Sequence, residues 1–296
     1  QEIGGWGWHH AVPMKEVSAN LWQVHLFLPD NHRIEYKYGL LNPKIGCVVK
    51  LEDGENRILD ARSFAPRQWT TVHDECFRRD PAMLYRAAGV AIPVFSLRSK
   101  ESLGVGEFAD LKPLADWASE VGLKLIQILP INDTTAARDW TDSYPYSAIS
   151  VHALHPLYVR IGDLGYAMPE EFAEEVESSR KLLNALDHVN FVEVMRAKDR
   201  FTRQIFRKHR KAIATSPGFQ AFFEENRDWV LPYAVFCVKR DQFKTADFSQ
   251  WEDWAVFDPE RVEAMAEPDH PDWQEVSYHV WLQYELDRQL SAAAAH

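Results

Sequence analysis

Leu123-Lys124-Leu125-Ile126-Gln127-Ile128-Leu129-Pro130 is a nearly continuous apolar run, and it constrains the fold more than any other stretch. Such runs suit strands buried on both faces, as in the parallel sheets of α/β proteins. Just before it, Glu107 to Val121 carries Phe108, Leu111, Leu114, Ala118 and Val121 at spacings of three and four, the helical period. Gly122 follows where a C-cap glycine belongs. Val90-Ala91-Ile92-Pro93-Val94-Phe95 supplies an earlier short apolar run. Strand, helix and strand form one βαβ unit, whose ligands are expected beyond the C-terminal ends of the strands.

The flanking sequence differs on the two sides. Residues 1 to about 64 predict short strands at Leu21–Leu28, Ile34–Leu40 and Cys47–Leu51, separated by turn residues, as in a small β-sandwich. Residues 65–85 have weaker periodicity and read as a linker. Beyond residue 168 the pattern is mostly helical. Asn190 with Glu193 opens a helix predicted to run to about Ile213, and Val276–Leu290 forms another. Between Arg196 and Lys211 the first of these holds eight Lys/Arg and one Asp, read as a solvated helix face rather than an anion site. Phe219, Phe222, Phe223, Trp229, Tyr233 and Phe236 are read as core.

Composition excludes several classes. A net charge of −11 is repelled by phosphate backbones, which argues against nucleic acid as a partner. No apolar run approaches the ~18 residues of a membrane span, and no signal-peptide pattern is present, so a cytoplasmic location is expected. Cys47, Cys76 and Cys237 are far apart and odd in number, unlike a disulfide framework or a structural zinc site. His152 and His155 lack acidic companions in helical register, so they are read as structural. The end of the first apolar run reads Phe95-Ser96-Leu97-Arg98, without the paired ligands of a metal-dependent barrel hydrolase. GxSxG, Walker-type and GxGxxG patterns do not occur. No metal and no cofactor is therefore expected.

The loop after the long apolar run is the richest in candidate chemistry. It reads Asn132-Asp133-Thr134-Thr135, then Trp140-Thr141-Asp142-Ser143-Tyr144-Pro145-Tyr146-Ser147. Aromatic rings beside short polar groups suit a sugar, whose C–H face stacks while its hydroxyls pair. Composition alone leaves an ordinary polar loop as the alternative.

Longer motifs are more specific. Ala88 to Ser99, then Leu103-Gly104-Val105-Gly106-Glu107-Phe108, resembles the opening of the 4-α-glucanotransferases (amylomaltases, or disproportionating enzymes). Leu125 to Asp133 resembles their second strand. Asp142-Ser143-Tyr144-Pro145-Tyr146-Ser147 with Ala153-Leu154-His155-Pro156-Leu157-Tyr158 resembles their substrate loop, in the form found in the cytosolic plant type. Residues 3–57 resemble the C-terminal part of a family-20 starch-binding module, a β-sandwich. Trp6, Lys37 and Asn56 fall on its sugar-contacting positions, while Leu51 stands where a second Trp is expected.

The resemblance implies a multi-domain architecture. Residues 1–64 would be the starch-binding β-sandwich, lacking its first strands. Residues 86–296 would be the N-terminal part of a (β/α)8 TIM barrel, with a mostly helical insertion at about 168–290. It implies retaining transfer of α-1,4-glucan between maltooligosaccharides, with α-1,4-glucans, maltose and maltooligosaccharides, and starch or glycogen as partners. Tyr144, Pro145, Tyr146, Ser147 and Asp133 would contact substrate. Retention needs two carboxyls only ~5–5.5 Å apart, on strand ends. The family's Arg-x-Asp-His nucleophile motif is absent here, so the catalytic residues are expected after His296. A non-catalytic glucan-binding protein and an α-amylase-like hydrolase are the alternatives.

Overall fold

The structure, a computed structural model, describes residues 11–28, 32–64, 69–79 and 87–296. The chain divides into two compact units, Gln1–Arg86 and Ala87–His296.

The first unit is built from short antiparallel ladders. β1 (Lys15–Ser18) pairs with β2 (Leu21–Gln23) across a turn at Asn20, whose φ of +64° an Asn tolerates. β3 (Arg33–Tyr36) pairs with β6 (Arg57–Asp60), and β4 (Gly39–Asn42) with β5 (Cys47–Leu51). The strand expected over Ile34–Leu40 is thus two strands. The chain changes partner at Lys37-Tyr38, where Tyr38 N–H donates to the Glu52 carboxylate (3.2 Å). The run expected over Leu21–Leu28 is a strand only to Gln23, because β1 offers no backbone partner beyond Lys15.

A buried polar knot fills the junction between these ladders. Arg57 meets Glu52 through two bonds of 2.8 Å, Asp74 at 2.7 Å and the Cys76 carbonyl at 2.7 Å. Tyr36 and Tyr38 both donate to Asp74, at 2.7 and 2.8 Å. Burial and the neighbouring Asp74 carboxylate push the Tyr36 hydroxyl up to about 12.

In the second unit β7 (Gly89–Ile92) and β8 (Leu125–Ile128) are parallel, in register from Gly89↔Leu125 to Ile92↔Ile128. The crossover helix α1 (Leu111–Glu120) follows a 3-10 turn at Phe108–Asp110 and stops before Gly122, at φ +79°. The βαβ unit is therefore present as the sequence predicts. The expectation that β8 is buried on both faces is corrected: Leu125 is 56 % exposed. Among the described residues β7 is its only ladder partner, so its faces lack the cover that a wider sheet with flanking helices provides.

Five helices complete the unit: α2 (Glu170–Asn184), α3 (Phe191–Ala214), α4 (Pro217–Phe243), α5 (Pro259–Ala264) and α6 (Trp273–Ala294). Asn190 caps α3 by accepting from Glu193 N–H. The last helix runs a turn longer at the C-terminus than its apolar pattern predicts. α4 packs on α6, and Phe201, Ile205, Val230, Leu231, Trp281 and Leu286 lie in one buried apolar cluster.

Glu107 joins these parts. Its carboxylate accepts from Lys198 Nζ on α3 (2.7 Å), Arg160 Nε (2.8 Å) and Leu103 N–H (3.1 Å). Lys198 also donates to the carbonyls of Leu157 and Val159, both at 2.6 Å. Lys198 is thus buried, which corrects the reading of every cation on α3 as solvated. Gly104 and Gly106 fit the same crowded corner. A Cβ on Gly106 would lie 1.9 Å from the Val94 carbonyl, and Gly104 has φ +75°.

Removing one partner of a buried ion pair leaves the other charge stranded. Lys198→Met is expected to lower the stability of the 87–296 unit by about 3–5 kcal/mol in urea unfolding followed by near-UV circular dichroism. A loss below about 1 kcal/mol would place little of the unit's stability in this pair.

Candidate functional site

The loop after β8 is shaped from below by two buried carboxylates. Asp133 Oδ1 accepts from Thr135 N–H (3.0 Å) and Thr135 Oγ1 (2.6 Å), and Oδ2 accepts from the Tyr233 hydroxyl on α4 (2.7 Å). Asp142 accepts from Ala137 N–H at 3.1 Å and Arg138 N–H at 2.6 Å, and its carbonyl accepts from Thr134 Oγ1. Arg138 itself sits at φ +61°, so the turn is held by these bonds against a backbone cost.

Helices α4 and α6 grip the same segment. Arg240 donates to the Thr135 carbonyl (2.7 Å), and Arg138 pairs with Asp241 (2.5 Å). Gln283 takes the backbone of Leu154 in both directions at 2.8 Å and reaches the Tyr233 oxygen at 3.4 Å. None of these anchors follows from local sequence, because each pairs residues some 50 to 130 positions apart.

On this base the rings face water. Tyr144 and Tyr146 are 59 % and 60 % exposed, with centroids 5.5 Å apart and planes tilted by 48°. Pro145 between them is half-buried, and Ser147 is exposed. The structure therefore brings Tyr144, Pro145, Tyr146 and Ser147 to one surface and places Asp133 beneath it. Trp140, 73 % exposed, extends that surface beside a groove of about 450 Å³ that Phe95, Ser143, His188 and Asn190 also line. Phe95 follows the C-terminal end of β7, where ligands of α/β folds sit.

His152 stacks on Trp229 at 5.6 Å, while His155 is buried and accepts from Leu157 N–H at 3.1 Å. Among the described residues no group of three or more His, Cys, Asp or Glu could hold a metal ion. None of the described helices is long and apolar enough to cross a membrane. In the first unit Lys37 Nζ donates to the Gly54 carbonyl (2.5 Å) and Asn56 to Glu35 (3.1 Å). Trp6 and the motif around it lie outside the described residues.

Residues 92–296 match the model of the 4-alpha-glucanotransferase family. The chain belongs to that family. Residues 1–69 match a starch binding domain. A 4-alpha-glucanotransferase DPE2 of Oryza sativa subsp. japonica is 38 % identical over 298 residues, covering 100 % of this chain and 31 % of the relative. A 4-alpha-glucanotransferase of Chlamydia muridarum is 33 % identical over 215 residues, covering 70 % of this chain and 38 % of the relative. The crystal structure of amylomaltase from Corynebacterium glutamicum aligns with TM-score 0.53 and 22 % identity, over 70 % of this chain and 28 % of that one, which shows a shared fold. The chain spans roughly a third of the length of the curated relatives it matches.

Two predictions follow, the first from the anchors beneath the loop. Tyr233→Phe leaves the buried Asp133 carboxylate one donor short, and should cost about 1–3 kcal/mol and speed amide hydrogen exchange at Thr135 and Ile149. Unchanged exchange there would show that the hydroxyl does not hold the loop.

The second concerns pH. Burial pulls the His155 imidazole below its usual 6.5, with Asp133 opposing, and burial with nearby Arg240 pulls His279 well below it. The unfolded chain then binds protons that the folded chain does not, so stability is full above pH 6.5 and falls as pH drops below it. Unfolding midpoints between pH 7.5 and 5.5 should decline, and His279→Gln should flatten part of the slope. An equal slope in that variant would exclude His279 as its source.

Proposed function

We propose that this chain is the substrate-holding front of a 4-α-glucanotransferase that moves α-1,4-glucan segments or glucosyl units between maltooligosaccharides by retaining double displacement. The observation that carries the reading is the exposed Tyr144–Tyr146 pair, fixed on buried Asp133 and Asp142 inside the region matched to the family. Tilted rings can stack on the C–H faces of successive glucose units, and Ser147 offers a hydroxyl to theirs. Asp133 serves by fixing the loop, since it is buried and both its oxygens are engaged, by Thr135 and by Tyr233. Pro145 holds the two tyrosines apart.

In this reading β7 and β8 are the first two strands of a (β/α)8 barrel, and the helices between about 168 and 290 are an insertion in it. Residues 1–64 form the starch-binding β-sandwich, with Trp6, Lys37 and Asn56 on glucan, and residues 65–85 connect the two. The partners are maltose, maltooligosaccharides, starch or glycogen in the cytoplasm. Because no Arg-x-Asp-His stretch occurs in residues 1–296, the nucleophile and acid/base are assigned to other parts of the enzyme.

Product analysis by chromatography tests this. The full-length enzyme should convert maltotriose to glucose plus longer oligosaccharides, and Tyr146→Ala should lower kcat/KM about tenfold or more, the loss of one stacking contact and its alignment. Hydrolysis without longer products, or a Tyr146→Ala enzyme equal to wild type, would contradict it.

A further inference from the structure

A cavity of about 110 Å³ lies under the loop after β8, between that loop and helices α3, α4 and α6. Met195 and Leu282 give it apolar wall, while Asp133, Asp142, Arg240 and His279 give it polar wall. Two of these side chains have bonding capacity left over. His279 is 7 % exposed, and among the described residues its buried Nε2 has no partner. Arg240 is 4 % exposed and carries five N–H donors, of which Nε goes to Asp241 (3.0 Å) and one on Nη1 to the Thr135 carbonyl (2.7 Å). A purely apolar cavity stays dry, whereas one lined by such groups recruits water, and at ~10–15 Å³ for each molecule this one has room for several.

We propose that this cavity is a hydration site, an ordered water cluster anchored by His279 and Arg240 that ties α6 to the base of the aromatic loop, with His279 as a positioning residue for that loop. Its bearing on catalysis rests on reading the loop as the glucan-facing surface. Charge identifies the occupant as neutral. Arg138 and Arg240 share the Asp241 carboxylate, while Asp133 and Asp142, bonded to neutral donors, face the same space. An oxyanion there would meet two carboxylates, and a cation would meet two guanidiniums. Burial, with Arg240 close by, keeps the His279 imidazole neutral at pH 7, so its Nε2 can donate or accept, and water serves either role. A bridging water is nearly as good a link as a direct hydrogen bond. The cluster therefore adds a hold on the Asp133–Thr135 turn beyond those of Tyr233 and Arg240.

Two measurements test this. A crystal structure of residues 1–296 should show ordered waters in the cavity, one of them about 3 Å from His279 Nε2. A dry cavity, a collapsed one, or one holding an oxyanion against Arg240 would overturn the proposal. In the full-length enzyme, His279→Leu removes the anchor and should speed amide hydrogen exchange at Thr135 and Ala137 about tenfold. The same variant should raise KM for maltotriose about threefold with kcat little changed, the mark of lost binding rather than lost chemistry. His279→Gln supplies an amide in place of the imidazole and should keep both readings within about twofold of the parent. A Leu variant that exchanges like the parent, or a Gln variant as fast as the Leu one, would overturn positioning by His279. Faster exchange at an unchanged KM would support the hydration site and instead remove the loop from the glucan-binding surface.

Discussion

The Glu107 carboxylate is the point on which the second unit depends. It stands at the start of the crossover helix of the βαβ unit and is bound at once by α3, through Lys198, and by the segment leading out of the loop, through Arg160. A buried carboxylate facing a lysine and an arginine is costly unless every lone pair and proton is used. Here all three Lys198 protons find acceptors, since the lysine adds the Leu157 and Val159 carbonyls to Glu107, and Arg160 adds Asp110 at 2.5 Å. The cluster therefore fixes position more than it adds net stability. It sets where α3 lies against residues 157–160, and so where the segment bearing Ala153-Leu154-His155 emerges.

From there the chain of dependence runs to the surface. Leu154 is held by Gln283, Gln283 reaches Tyr233, Tyr233 holds Asp133, and Asp133 sets the first turn of the aromatic loop. The rings at 144 and 146 thus stand on buried, paired polar groups rather than on a floppy turn. That is how an exposed site avoids losing affinity to the ordering of its own loop. Among the described residues four buried polar atoms lack a partner, Arg98 Nη1, Trp281 Nε1 and the Nε2 atoms of His155 and His279, and the two histidines make this interior sensitive to acid.

Much of this was legible in the sequence wherever the signal is local. The 3.6-residue period of α1, the Asn190 cap, the glycine after α1 and the two parallel strands all follow from short-range steric and hydrogen-bonding preferences. The motif Leu103 to Phe108 was visible as a pattern, but its reason is tertiary: Gly104 and Gly106 allow close approach, and Glu107 meets Lys198 across 91 positions. Lys198 was misread because its stretch of α3 is dominated by cations that do face water, such as Arg196 and Arg200. The division of Ile34–Leu40 was likewise hidden. Alternation in a strand says which residues share a face, and nothing about where the ladder partner changes. The aromatic loop could be located from composition, while the anchors beneath it, Tyr233, Arg240 and Gln283, could not.

We infer that the loop after β8 is a preformed face for α-1,4-glucan. The most direct measurement is a crystal structure of this chain soaked with maltotetraose. Glucose rings should stack on Tyr144 and Tyr146, with Asp133 and Asp142 keeping their present bonds. Sugar bound elsewhere on the 87–296 unit with both tyrosines bare, or a loop that must refold to receive it, would contradict that claim.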